Sequence, residues 1–297
     1  MRYLISGGTG FLGSSLYKRL IKYKKNEIYV LTRDTLISSS NVTYINSIDY
    51  SEKFDVIINF AGEPLDSARW TQTQKNKILE SRINSTKRIV EFINTTEDKP
   101  KLFLNSSAVG FYGHCQNKEF TEESSPEKSS FSHYLCNSIE EEAKKTSNET
   151  RLVHLRNGIV LSKQGGALAK MLAPFEMGLG GKIGDGNQWM SWIHIEDYIN
   201  ALEFIIEHEQ ISGAVNLTSP NPSRNKDFAK ALSNALFKPC IFTIPSFMAK
   251  FLYGEMADEL LLNGQKVLPK KLIDAGFNFK FKNLKDALNN LLNIQEK

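Results

Sequence analysis

Glycines at positions 7, 10 and 13 lie in the run Gly7-Gly8-Thr9-Gly10-Phe11-Leu12-Gly13, which follows a short apolar stretch and leads into a segment of helical periodicity. Gly7 permits a tight turn, Gly10 lets backbone amides approach a pyrophosphate at a helix N-terminus, and Gly13 lets helix and sheet pack closely. With Thr9, Phe11 and Leu12 between and beside the glycines, the run reads as the phosphate loop of a dinucleotide site. Roughly 20 residues on, where an acidic residue would hold the ribose of NAD, stands Leu31-Thr32-Arg33-Asp34. Arg33 can pair bidentately with a 2′-phosphate and Thr32 can add a hydroxyl, which favours NADP(H); Asp34 keeps NAD as the minority reading. Phe60, Ala61 and Gly62, closing the string Asn59-Phe60-Ala61-Gly62, are expected to border the same cofactor at a strand's carboxyl end.

Elements that could position these groups are legible as alternation. Tyr3–Ser6, Glu27–Thr32, Val42–Asn46, Val56–Ala61, Lys101–Ser106, Arg151–Arg156 and Ala214–Thr218 read as strands, most of them apolar on both sides as buried parallel strands are. Leu12–Lys24, Thr71–Asn94 and Phe131–Lys145 read as helices between them. This pattern predicts an α/β fold, a doubly wound parallel sheet of Rossmann type, with a smaller C-terminal α+β substrate lobe. The boundary is placed so that residues 1–162 form the nucleotide domain and 163–297 the lobe, partly interleaved, with later strands completing the sheet. Ser38–Ser40 and Thr121–Ser130 read as polar loops, and Pro245–Leu262 as an amphipathic helix packing its Phe247, Met248, Phe251, Leu252 and Met256 side into the lobe core. Gly178–Gly186 reads either as a lid or as an ordered turn cluster.

The chain has 297 residues and an ordinary globular composition, 41% hydrophobic and 24% charged. Its net charge of +4 is scattered, which argues against nucleic acid as a partner. Three cysteines without metal spacing support neither a disulfide framework nor a metal site. With no long apolar run and no signal-peptide core, the expectation is a cytoplasmic protein without a membrane partner.

Farther along, the strings Arg69-Trp70-Thr71, Ser81-Arg82-Ile83, Ser107-Ala108-Val109-Gly110-Phe111-Tyr112-Gly113 and Arg156-Asn157-Gly158-Ile159-Val160-Leu161 occur in order. Gly165-Gly166-Ala167-Leu168, Ser191-Trp192-Ile193-His194-Ile195, Asn216-Leu217-Thr218-Ser219-Pro220 and Gln265-Lys266-Val267-Leu268-Pro269 follow. The series resembles an atypical branch, family 39U, of the extended short-chain dehydrogenase/reductase superfamily, and the resemblance covers nearly the whole chain. It implies an NADP-binding Rossmann domain with a small lobe closing over the nicotinamide, Arg82 and Ile159 as further cofactor contacts, and, by superfamily analogy, a homodimer.

Active members of that superfamily pair a Ser or Thr with a helical YxxxK, in which the lysine lowers the tyrosine pKa for acid/base work. Here Ser107 takes the serine position, and Tyr134 lies at about the expected separation, but Ser138 stands where the lysine should be. Cys136 and Glu140 resemble the Cys and Glu that the branch carries on this helix. Ser107, Tyr134 and the rival Tyr112 are the candidate catalytic residues, while His194 reads as structural and Asp197 as a brace. The resemblance implies an NADP-dependent oxidoreductase or epimerase-like enzyme on a small hydroxylated or carbonyl substrate, nucleotide sugars included. The alternative is an NADP-binding sensor or scaffold without turnover, linked to cell division, which the missing lysine favours.

Overall fold

In the computed structural model, which describes residues 1–39, 41–127 and 130–292, seven parallel strands form one sheet. They are β1 (Arg2–Ser6), β2 (Glu27–Leu31), β3 (Val42–Ile45), β4 (Val56–Asn59), β5 (Leu102–Ala108), β6 (Arg151–Asn157) and β7 (Gly213–Leu217). Their spatial order, β3-β2-β1-β4-β5-β6-β7, is doubly wound, with the strand order reversing between β1 and β4. All seven expected strands are present, and β7 shows the chain returning from the C-terminal half to complete the sheet. Of the expected polar loops, Ser40, Lys128 and Ser129 lie outside the described residues.

Alternation along each strand divides the core between the two faces of the sheet. Tyr3, Ile5, Ile58, Leu104, Val153 and Leu155 pack on one side with Leu16 and Leu20 of α1 (Phe11–Leu20). Leu4, Ile57 and Phe103 face the other way, onto Ile89, Phe92 and Ile93 of α2 (Gln72–Thr95) and Ala143 of α3 (Phe131–Ala143). Full burial of such side chains is worth roughly 2 kcal/mol apiece, which fixes the register of both layers. The helices begin where the sequence supplies caps: Thr71 accepts from the Gln74 amide at 3.2 Å and Ser130 from the His133 amide at 3.2 Å.

A second core belongs to the lobe, where Leu161, Leu168, Trp192, Phe228, Leu232 and Leu288 pack together. Short strand pairs frame it: Ile159–Leu161 with Trp192–His194, Gly181–Ile183 with Phe242–Ile244, and Cys115–Phe120 with Gln265–Val267. Gly181–Ile183 is thus an ordered ladder within the Gly178–Gly186 cluster.

Pro245–Leu262 departs from the expected single helix. A helix at Ser246–Tyr253 stops at Gly254, whose φ of +62° breaks the helical path, and a π-helical turn follows at Asp258–Leu262. Phe247 and Phe251 are 72% and 78% exposed, and Met248 and Leu252 are exposed with them. Of the five side chains expected inward only Met256 is buried, together with Ala249 and Ala257 of the same stretch, so the amphipathic stripe faces outward and the core assignment is overturned. Among the described residues, no helix is long and apolar enough to cross a membrane.

Candidate functional site

The glycine loop is built by contact. Gly7 has φ +71°, and a Cβ there would lie 2.7 Å from the Ala61 amide nitrogen; at Gly13 it would lie 2.4 Å from the Gly7 carbonyl oxygen. These two positions require glycine, and the loop closes on Phe60–Ala61 across the gap between β1 and β4. Gly10 is the N-cap of α1, no side chain caps it, and the first turn carries no acid, so the positive helix end is open to an anion. Phe11 is covered by Gly165 and Gly166 of the lobe. Thr9 and Leu12 fill out the same turn and first helical residues.

At the end of β2, Arg33 is exposed and makes no hydrogen bond or ion pair among the described residues. The hydroxyl of Thr32 accepts the Asp34 amide at 3.1 Å. Arg82 of α2 packs on Gly62 and donates to the Ile78 carbonyl at 3.1 Å; burial pulls its pKa down, and among the described residues no carboxylate forms an ion pair with it. An open helix end, a free surface guanidinium and an unneutralised, partly buried one form a chemically suitable donor set for a phosphorylated dinucleotide.

Beside Arg82 lies a cavity of about 360 Å³, bordered by Ser107, Cys136, Asn157, Ile159, Trp189 and Glu259 among others. It opens at the carboxyl edge of the sheet, where ligands of doubly wound folds bind. Ser107 donates to Glu140 Oε1 at 2.8 Å. Glu140 is clamped by Arg156, Nε to Oε1 at 2.9 Å and Nη2 to Oε2 at 2.8 Å, with both side chains buried. Burial alone would push the Glu140 carboxyl up, but Arg156, His154 and Ser107 outweigh it and hold the group below its ordinary range. Arg156 also donates to the Tyr112 hydroxyl at 2.9 Å, which in turn donates to Asn216 Oδ1 at 2.7 Å. Its guanidinium lies 3.5 Å from the Phe111 ring centroid.

The candidate residues separate accordingly. Ser107, Arg82 and Ile159 share the cavity. Tyr112 is fully buried, its phenol pushed up to about 12 by burial, and it is not among the cavity residues. Tyr134 is 55% exposed on α3, which turns Cys136 toward the cavity and Glu140 one turn behind it, the i, i+4 spacing of YxxxK. Burial, reinforced by the Glu140 carboxylate, pushes the Cys136 thiol up to about 11. His194 caps the helix Ile195–Glu207 by accepting the Glu196 amide at 3.0 Å, and Asp197 accepts the amides of Lys280 and Phe281 at 2.8 Å each.

Sequence reasoning missed three cavity groups. Asn157 donates to Ser106 Oγ at 2.9 Å and leaves its Oδ1 buried without a partner among the described residues. His114 and Glu259 meet across the cavity wall at 3.4 Å. Asn157 and His114 lie inside or next to strings already singled out; Glu259 has no local signal, because only the tertiary fold carries the π-helical turn to the sheet edge.

Residues 3–218 match the NAD dependent epimerase/dehydratase family, and residues 244–291 match a domain of unknown function, DUF1731. An epimerase family protein of Staphylococcus aureus (strain MRSA252) is 38% identical over 299 residues, covering 98% of this chain and 99% of the relative. Epimerase family protein YfhF of Bacillus subtilis is 36% identical over 301 residues, covering 98% of each. The crystal structure of human epimerase family protein SDR39U1 (isoform 2) with NADPH matches with a TM-score of 0.91 and 29% identity, over 99% of this chain and 100% of that one. A UDP-glucuronic acid 4-epimerase from Bacillus cereus, at 17% identity and a TM-score of 0.76 over 99% of both chains, shares the fold. The chain belongs to the NAD-dependent epimerase/dehydratase family, on the 39U branch with human SDR39U1.

Proposed function

We propose that the protein is an NADP(H)-dependent oxidoreductase or epimerase-like enzyme acting on a small hydroxylated or carbonyl substrate, with nucleotide sugars inside that class. The observation that carries this reading is the cavity itself: Ser107 and Arg82 border one space at the carboxyl edge of the sheet, beside the point where the glycine loop closes on Phe60–Ala61. Gly7, Thr9, Gly10, Phe11, Leu12 and Gly13 would take the pyrophosphate, Thr32 and Arg33 the 2′-phosphate, and Phe60, Ala61, Gly62, Arg82 and Ile159 the remainder of the cofactor. When bound, the nicotinamide supplies or accepts hydride. Ser107 orients the reacting oxygen. Because its hydrogen is committed to the Glu140 carboxylate, Ser107 offers lone pairs and favours a hydroxyl over a carbonyl as its neighbour.

NADP over NAD rests on Arg33, which no carboxylate engages among the described residues. Titration calorimetry tests it: wild type is expected to bind NADPH at least about tenfold more tightly than NADH, as a charge-assisted pair with a phosphate predicts, and Arg33→Ala to lose that preference. Equal affinity for the two dinucleotides in wild type overturns the NADP assignment, and failure to bind either overturns the whole reading. A second reading, an NADP-responsive sensor without turnover, draws on one observation: a thiol and a carboxylate hold the i, i+4 positions on α3 that face the serine.

A further inference from the structure

Arg82 and Glu259, side chains of opposite charge, both border the cavity but form no ion pair with each other. The acidic groups near enough to act on Arg82 are Cys136 and Glu63, whereas Glu259 is held by His114 and Ser132. The cavity is therefore cationic where Arg82 packs on Gly62, and anionic at the wall supplied by the π-helical turn of the C-terminal region. Val109, Leu135, Ile139, Ile159 and Leu260 contribute apolar side chains to the same border. A charged group placed among them gains little from solvent and needs a partner on the wall.

Glu259 offers one. Its Oε2 is engaged, accepting the Ser132 amide at 3.3 Å and lying 3.4 Å from His114 Nε2. Its Oε1 accepts no hydrogen bond among the described residues, yet it is not sealed off as both His114 ring nitrogens are, so the 11% of this side chain that stays exposed includes an unpaired carboxylate oxygen. Burial raises the Glu259 carboxyl, but His114 and Ser132 outweigh it and bring it down to about 2, so the group is a carboxylate throughout the neutral range. Ser107, on the same border, has given its hydrogen to Glu140 and presents lone pairs. Two acceptors thus face one space, a neutral oxygen at the sheet edge and an anionic one on the C-terminal wall. A ligand that satisfies both carries a donor at each end, and the donor that meets a carboxylate in apolar surroundings is best a cation.

We propose that the cavity selects amino alcohols, with the hydroxyl donating to Ser107 Oγ, an ammonium donating to Glu259 Oε1, and an apolar frame between them. This rests on the reading above in taking the cavity as the substrate's place, and it makes Glu259 a specificity-determining residue. A carboxylate or phosphate at the ammonium's position is repelled by Glu259.

The test compares three ligands that share a hydroxylated six-carbon ring: trans-4-aminocyclohexanol, trans-cyclohexane-1,4-diol and trans-4-hydroxycyclohexanecarboxylate. Each is titrated calorimetrically into the full chain, with and without NADPH, at about pH 8, where the amine is protonated and the acid ionised. Wild type is expected to bind the amine at least about tenfold more tightly than the diol, as a charge-assisted hydrogen bond predicts, and with NADPH present to bind the carboxylate most weakly. Glu259→Gln keeps an acceptor for the Ser132 amide; it is expected to bring the amine to within about twofold of the diol, with the affinities for the diol and for NADPH unchanged within about twofold. A purely structural Glu259 would instead weaken all the ligands together. Glu259→Asp keeps the charge and is expected to keep the order with a smaller ratio. Failure of the amine to bind, equal affinity for amine and diol in wild type, or an amine preference that survives Glu259→Gln overturns the proposal and, where NADPH still binds, leaves the dinucleotide reading intact. An amine preference that depends on Glu259 in a chain that binds no NADPH overturns the dinucleotide reading and leaves the ligand assignment standing.

Discussion

Ser107 gives its hydroxyl hydrogen to Glu140, and the direction of that bond is forced, because Arg156 engages both Glu140 oxygens and keeps the carboxylate ionised. Every hydrogen along the line from Ser107 through Glu140, Arg156 and Tyr112 to Asn216 therefore has one orientation.

Breaking this line should cost stability before it costs anything else. Glu140→Gln leaves a buried guanidinium without its counter-charge, and loss of one partner of a buried pair costs about 3–5 kcal/mol. Urea denaturation of the variant should show the midpoint falling accordingly. A loss under about 1 kcal/mol would mean that water reaches Arg156 and the network is not dry.

Gly13→Ala places a methyl group 2.4 Å from the Gly7 carbonyl oxygen, so the phosphate loop must open to admit it. NADPH affinity should fall at least about tenfold, equivalent to about 1.4 kcal/mol. Calorimetry on variant protein with an unchanged far-ultraviolet spectrum checks this, and wild-type affinity would show the loop to be dispensable.

Acid should weaken the fold in two stages. Burial lowers the His154 and His194 pKa values from 6.5 to about 4. A folded pKa below the unfolded one means that the unfolded chain binds more protons between those values, so the stability these rings contribute is present above about pH 6.5 and is lost as pH falls toward 4. At pH 5 the loss is on the order of 1–2 kcal/mol per ring. Glu259, lowered from 4.5 to about 2, adds its own loss as pH falls through that lower window. Urea midpoints compared at pH 7.5 and pH 5 should show the first stage, with His154→Phe reducing it; identical midpoints would show both rings reaching solvent.

The outward stripe of the helix Ser246–Tyr253 predicts tolerance. Phe247→Ser with Phe251→Ser should shift unfolding by no more than about 0.5 kcal/mol, whereas Met256→Ala should cost about 2 kcal/mol or more from its buried site. Thermal unfolding of both variants distinguishes the outward stripe from the inward packing that the amphipathic pattern suggested.

These contrasts show what sequence can carry. Strands buried on both faces, such as Val56–Asn59, read as continuous apolar runs, and Gly7 and Gly13 announce a loop that admits no side chain. Both signals are local. An amphipathic pattern such as Phe247–Leu252 reports that a helix has two sides without saying which one meets protein, and Gly254 ends the helix in a way that periodicity does not register. On α3, separation from Ser107 pointed to Tyr134, but the rotation of the helix against the sheet decides which residue looks inward, and that rotation is a property of packing with α2. His114 and Glu259 depend on a still longer excursion of the chain.

The Glu140–Arg156 pair carries an evolutionary consequence. A lysine introduced at position 140 would set an ammonium against Arg156 in a dry interior and would strip Ser107 of its acceptor, so the ordinary tyrosine–lysine arrangement is not one mutation away. Reaching it requires Cys136, Glu140 and Arg156 to change together, through intermediates each less stable than either end. In this chain one buried charge pair thus ties the three positions together.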